Sequence, residues 1–263
     1  MNRRPGPSIR SLAVVAAAAM LLAGCAITRD EPGTPEPTQE STLTGSLTIA
    51  AAASLAGSFG DLAAEFEAEH SGVEVRPLIL DGSSTLATQL REGAPFDVFA
   101  SANESNMDKV ADLVVDPTLF ATNTLQLAVA PGNPLGITSL EDLVGLDVVL
   151  CAPEVPCGDA SQQLLTAKGV SITPVSEEQN VTAVLTKVAA GEADAGLVYV
   201  TDVADAGGEV TGVDVGGAEV IINRYPIAAV AESPNADIAA AFVAFVLSER
   251  GRAVLATYGF GSP

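Results

Sequence analysis

The chain has a single histidine, His70, and that scarcity removes most hydrolase chemistry at once. A serine or cysteine nucleophile needs a base beside it. His70 closes the acidic stretch Glu65-Phe66-Glu67-Ala68-Glu69, where a surface position is expected. The sequence also lacks a G-x-S-x-G nucleophile turn, a Walker A phosphate loop and a G-x-G-x-x-G dinucleotide turn. A secreted hydrolase built on a carboxylate pair is the enzyme reading left, and nothing singles out a pair among so many acids. Basic residues are scarce too: 12 Lys and Arg stand against 33 Asp and Glu, a formal charge of −21. A surplus of that sign argues against nucleic acid and anionic membrane surfaces as partners. It leaves small anions open, because local dipoles act inside a Debye length of about 10 Å.

What is present begins with an export signature. Arg3, Arg4 and Arg10 precede the apolar run Ser11 to Ala23, which is too short to span a bilayer. Leu22-Ala23-Gly24-Cys25 then resembles a bacterial lipobox. The expectation is a lipoprotein leader over 1–24, a lipid on Cys25, and a mature protein held at the extracytoplasmic face of the cell membrane. Cleavage there removes three of the 12 basic residues and none of the 33 acidic ones, taking the charge from −21 to −24. Residues 25–46, rich from Thr28 onward in Pro, Thr, Glu, Ser and Gly, hold too little apolar surface to fold and are expected as a disordered tether. Two other cysteines, Cys151 and Cys157, lie close in sequence. In an oxidising compartment they either close a short loop as a disulfide or stand as free thiols. A metal pair is disfavoured, since the one histidine is far away.

From Leu47 onward strand and helix patterns alternate. Leu47 to Ala52 is predicted as a buried strand, and Leu55, Phe59, Leu62 and Phe66 recur at helical spacing. Strands are predicted over 73–80, 97–100, 124–130, 147–151, 195–200, 220–222 and 227–231. Helices are predicted over 84–91, 103–113, 140–144, 159–168, 179–190, 236–247 and 251–257. This alternation predicts α/β architecture, mostly parallel sheets covered by helices. Its length suits two lobes, 47–125 with 225–263 and 126–224, or one larger sheet; Thr124 to Val129 and Asn223 to Pro226 are natural crossings.

The chemistry is expected where strands turn into helices. Small or hydroxyl residues stand beside four helix starts: Ala51-Ala52-Ala53-Ser54, Asp81-Gly82-Ser83-Ser84-Thr85, Val155-Pro156-Cys157-Gly158-Asp159, and Ser176 to Val181, where Ser176 and Gln179 have capping-box spacing. A helix start presents unpaired N–H groups and about half a positive charge. In an α/β sheet such starts gather at the carboxyl ends of the strands. Each turn alone reads as ordinary capping. Four together fit an anion site that needs no Lys or Arg.

These turns carry a resemblance. Ala51-Ala52-Ala53-Ser54-Leu55, Gly82-Ser83-Ser84-Thr85-Leu86-Ala87, Gly93 to Ala102, Pro153-Glu154-Val155-Pro156-Cys157-Gly158 and Gly196 to Asp202 resemble, in order, the periplasmic molybdate-binding protein family. The resemblance implies a two-lobed type II periplasmic-binding-protein fold closing on an oxyanion, molybdate or tungstate, with no cofactor. It implies a monomer that serves a membrane permease of an ABC importer. Carried over by motif, Ser54 and Ser83 would offer hydroxyl and N–H from the first lobe. Cys157 N–H, Val181 N–H and the Tyr199 hydroxyl would come from the second. Cys157 departs from the small residue usual in that turn, but only its amide is needed. No residue is expected to ligate the metal of the oxyanion directly. A fully ionised dianion has acceptors and no proton, so a donor-only site suits molybdate, tungstate or sulfate, while phosphate near neutral pH keeps a proton. Asp81, a carboxylate beside the serine turn, runs against this pattern. Sulfate or thiosulfate is the nearest alternative ligand. A ferric-ion site is disfavoured, because no two of Tyr199, Tyr225 and Tyr258 adjoin.

Overall fold

A computed structural model describes residues 42–263; the expected leader 1–24, Cys25 and most of the tether 25–46 lie outside the described residues. The first strand, β1 (Gly45–Leu47), begins inside the stretch expected as tether and pairs with β3 (Val73–Val75). The predicted strand over 47–52 is two, because β2 (Ile49–Ala52) turns to different partners, β4 (Ile79–Asp81) and β5 (Val98–Ala100). Likewise the predicted strand 73–80 is split into β3 and β4 around Pro77, which has no N–H for a ladder. Helix α1 (Ala56–Glu69) follows the apolar spacing. Leu55, Phe59, Leu62 and Phe66 are all fully buried, each worth about 1.5–3 kcal/mol relative to exposure. His70 ends α1 and stacks on Phe66 at 4.5 Å.

The largest departure from expectation is β6. It runs without interruption over Val114–Val129, where a helix to 113 and a strand only from 124 are predicted. Helix α3 is correspondingly short, Glu104–Asp108, capped by Asn103. A second long strand, β11 (Ile222–Val230), joins the two short strands predicted on either side of Pro226. Pairing makes these long strands: Ile222 to Val230 lies antiparallel against Val114 to Thr124, with register shifts at Tyr225/Pro226 and Ile227/Ala229 that accommodate the proline. The rest of β6, Leu125 to Val129, pairs with β9 (Ala195–Tyr199) on one side, and Leu127 to Val129 with β10 (Thr211–Val213) on the other.

The remaining strands complete a mixed sheet of order β4-β2-β5-β11-β6-β9-β7-β8, with β7 (Val148–Cys151) parallel to both β9 and β8 (Ser176–Glu178). Parallel pairs occupy the two wings; antiparallel pairs occur where β6 and β11 cross the middle. Helices α2 (Ser83–Arg91), α4 (Pro156–Lys168), α5 (Val181–Ala189), α6 (Val200–Asp205), α7 (Ala236–Leu247) and α8 (Glu249–Thr257) cover it. The strand β8 corrects the capping box expected at Ser176 and Gln179. Ser176 to Glu178 is held in the sheet by Val149 to Cys151, and the helix starts at Val181, with Asn180 Oδ1 accepting from Ala183 N at 2.9 Å.

The apolar cores follow the wings. One core uses residues between 125 and 221 and is aliphatic apart from Tyr199 and the two cysteines. The others use residues from 43–121 and 225–260, where Phe59, Phe66, Phe120 and Phe242 meet edge to face or tilted. The sheet therefore has two wings, with β6 and β11 as the only strands that join them among the described residues.

Candidate functional site

Four helix starts converge where the wings face each other. A short 3-10 turn, Ala53–Leu55, leads from β2 into α1. Gly82, in extended conformation, caps α2. Helix α4 opens on Pro156, whose missing N–H costs nothing at a first helical position. Helix α5 opens at Val181. Between them lies a tight cavity of about 10 Å³ lined by Ser54, Ser83, Cys157, Val181 and Tyr199, with Asp81 and Asn180 at its wall. All five residues expected to meet the ligand therefore share one cleft, two from the first wing and three from the second.

The lining is rich in donors. Ser54, Ser83, Cys157 and Val181 are first-turn residues, so their N–H groups have no carbonyl one turn back to bind. Ser54, Ser83 and Tyr199, the three hydroxyl residues, line the same space. No Lys, Arg or His lines it. The one carboxylate, Asp81, is tied back: its Oδ1 accepts from Gly82 N at 2.7 Å and from Asn180 Nδ2 at 2.9 Å. The second of these bonds joins the two wings.

Two glycines allow the close approach. A Cβ on Gly82 would sit 2.0 Å from the carbonyl oxygen of Gln179, on the opposite wing. One on Gly158 would sit 1.9 Å from the Ala152 carbonyl oxygen within its own wing. That second turn is also stapled. Cys151, the last residue of β7, is disulfide-bonded to Cys157 in the first turn of α4, with Cα atoms 5.7 Å apart. Of the two options the sequence leaves for this pair, the structure takes the disulfide.

Burial sets the protonation states. It holds the Tyr199 phenol well above the ordinary tyrosine range and pushes Tyr225 up as well, so both keep their protons. Burial also raises the Asp202 carboxyl to about 7, although Tyr199 N donates to it at 2.8 Å and pulls the other way.

The model for bacterial extracellular solute-binding proteins matches residues 47–261. The chain belongs to that family. As a member of the bacterial extracellular solute-binding proteins, it is 43% identical over 250 residues to the molybdate-binding protein ModA of Mycobacterium tuberculosis, spanning 93% of this chain and 95% of that one. It is 30% identical to the Escherichia coli molybdate-binding protein ModA, over 82% of this chain and 89% of that one. Among solved structures, the periplasmic molybdate-binding protein of Azotobacter vinelandii superposes with a TM-score of 0.70, covering 82% of this chain and 99% of that one, at 20% identity. That last likeness speaks for the fold.

Sequence reasoning missed the layer behind this solute-binding protein's cleft. Asn123, Asn223 and Tyr225 are buried; Tyr225 Oη lies 3.0 Å from Ser54 Oγ, Asn223 Nδ2 donates to Tyr199 Oη at 3.0 Å, and Asn123 stands one layer further back, its Nδ2 3.4 Å from Tyr225 Oη. A signal was present. Asparagine is unfavourable inside strands, and both of these lie in apolar, strand-like stretches at the two crossings.

Proposed function

We propose that this chain captures molybdate outside the cytoplasm and hands it to the membrane permease of an ABC importer. The observation that carries the reading is a cleft lined by main-chain amides and three hydroxyls from both wings, with no cationic side chain. Such a cleft suits an anion whose oxygens only accept. Hydrogen bonds to a charged partner are worth about 1.5–3 kcal/mol each, enough in combination for tight binding without a formal counter-charge. The relatives at 43% and 30% identity are molybdate-binding proteins, which supports the same ligand. Tungstate, nearly the same size and charge, is expected to bind too.

In this reading Ser54 and Ser83 contribute from the lobe 47–125 with 225–263, and Cys157, Val181 and Tyr199 from the lobe 126–224. The ligand favours the closed arrangement because only there do both sets reach it. The permease is expected to recognise the closed monomer, tethered through a lipid on Cys25. Among the described residues no helix is long and apolar enough to cross a membrane.

Isothermal calorimetry with molybdate, tungstate, sulfate, phosphate and ferric citrate tests the proposal. Strong heat with molybdate and tungstate is expected. Preference for sulfate would move the assignment to the neighbouring ligand, and silence toward every oxyanion would end it.

A further inference from the structure

Two asparagines stand opposite each other where β6 and β11 cross between the wings. Asn123 and Asn223 are register partners, 3% and 5% exposed. Their amide orientations are fixed by groups with only one hydrogen-bonding role. Asn123 Oδ1 takes the N–H of Thr124 at 3.0 Å, so Nδ2 faces the other way, toward Thr201 Oγ1 at 2.8 Å and Tyr225 Oη at 3.4 Å. Asn223 Nδ2 lies 3.0 Å from the Ala102 carbonyl and 3.5 Å from that of Pro156, and carbonyls only accept. The same nitrogen reaches Tyr199 Oη at 3.0 Å.

An amide N–H donates and never accepts, and a hydroxyl has one proton to give. Tyr199 Oη therefore accepts from Asn223, which frees its own proton to turn toward the cavity. Tyr225 Oη accepts from Asn123 and lies 3.0 Å from Ser54 Oγ, and in the arrangement proposed below Tyr225 is the donor of that pair. Ser54 then turns its proton to the cavity. Ser83 reaches the same state by a shorter route, since Ser83 Oγ accepts from Ala102 N at 3.0 Å. Ala102 thus serves both wings, its N–H on Ser83 and its carbonyl on Asn223.

We propose that Asn123 and Asn223 are positioning residues that hold the Ser54 and Tyr199 hydroxyls as donors, so that the cleft rejects oxyanions that keep a proton. The inference rests on the anion reading above. A proton on the ligand would face three hydroxyls that each already accept one bond from the protein and aim their own proton at the cleft, so it would be poorly paired in a dry site. Asp81, the one carboxylate in the lining, has Oδ1 occupied from Gly82 and Asn180, which leaves Oδ2 as its remaining acceptor.

The test compares molybdate with inorganic phosphate at pH 7.5, where both are mainly dianions and only phosphate carries a proton. Calorimetry gives the first affinity and displacement the second. Asn223→Asp replaces an obligate donor with an acceptor, so the Tyr199 proton turns inward and its lone pair faces the ligand. Molybdate binding should weaken about 10- to 100-fold, the loss of one charge-assisted hydrogen bond, while the molybdate-to-phosphate ratio falls at least about tenfold. A long-range charge effect or a looser fold would weaken both dianions alike and leave the ratio where it was. In a Tyr199→Phe background the same substitution should leave the ratio unmoved. Tyr225→Phe keeps the ring against Phe120 and Phe260 and removes only the hydroxyl behind Ser54; it should lower the ratio too, and serves if Asn223→Asp melts. Unchanged ratios in the folded variants would overturn the inference while leaving the molybdate reading intact. A wild-type protein silent toward molybdate would instead remove that reading.

Discussion

Gly82→Ala separates closure from folding. Gly82 has φ −60 and ψ 137, a conformation any residue adopts, so alanine brings no backbone strain of its own. Its Cβ would nevertheless lie 2.0 Å from the Gln179 carbonyl oxygen across the cleft, where ordinary contacts start near 3.0 Å. The wings must therefore back away by about 1 Å or more at this point. The Asn180–Asp81 bond, 2.9 Å in the closed arrangement, then stretches past hydrogen-bonding range. Donors of one wing retreat from the ligand by a similar amount. Losing two bonds to a charged ligand costs about 3–6 kcal/mol, a fall in affinity of about 10²- to 10⁴-fold. Within each wing nothing changes, so the ligand-free melting temperature should stay within a degree or two. Calorimetry with molybdate measures the first effect, and small-angle scattering with and without ligand measures closure. If Gly82→Ala binds as tightly as wild type and compacts equally, the reasoning about the cleft is wrong.

Further outcomes concern stability. Asp202 is raised from 3.8 to about 7 because burial penalises its charged form. Its protonated state is thus the one the fold tolerates: its contribution is complete below about pH 4 and is lost as pH rises through about 7. Asp202→Asn keeps an acceptor for Tyr199 N and cannot ionise. Scanning calorimetry should show the variant gaining on wild type between pH 4 and pH 7, by up to about 4 kcal/mol; a pH-independent difference would contradict this. Reduction of Cys151–Cys157, six apart in sequence, should lower the unfolding free energy by about 2 kcal/mol in urea titrations. It should also weaken molybdate binding, because the bond pins the turn that carries the Cys157 amide. Identical binding by the oxidised and reduced protein would show that the turn holds itself.

Much of this was legible locally. The spacing of Leu55, Phe59, Leu62 and Phe66 marks one helical face because it matches 3.6 residues per turn, and α1 buries that face completely. The turns at Ser54, Ser83 and Cys157 carry their own signals, since capping and tight approach demand small or polar residues in place. Where signals failed, a distant partner decided. Residues 114–123 have no strand alternation strong enough to announce β6, and only pairing with Ile222 to Val230 extends it. Ser176 has the spacing of a helix cap, yet three hydrogen-bonded register partners on β7 make it a strand.

By itself the sequence determined the alternating elements and the set of turns rich in unpaired amides, because periodicity, capping and glycine preference are properties of short segments; whether they made two lobes or one larger sheet it left open. Tertiary structure alone decided what stands behind the cleft's hydroxyls. A hydroxyl's direction depends on what lies behind it, and Asn123, Asn223 and Tyr225 come to stand behind Ser54 and Tyr199 only when strands a hundred residues apart in the chain lie side by side.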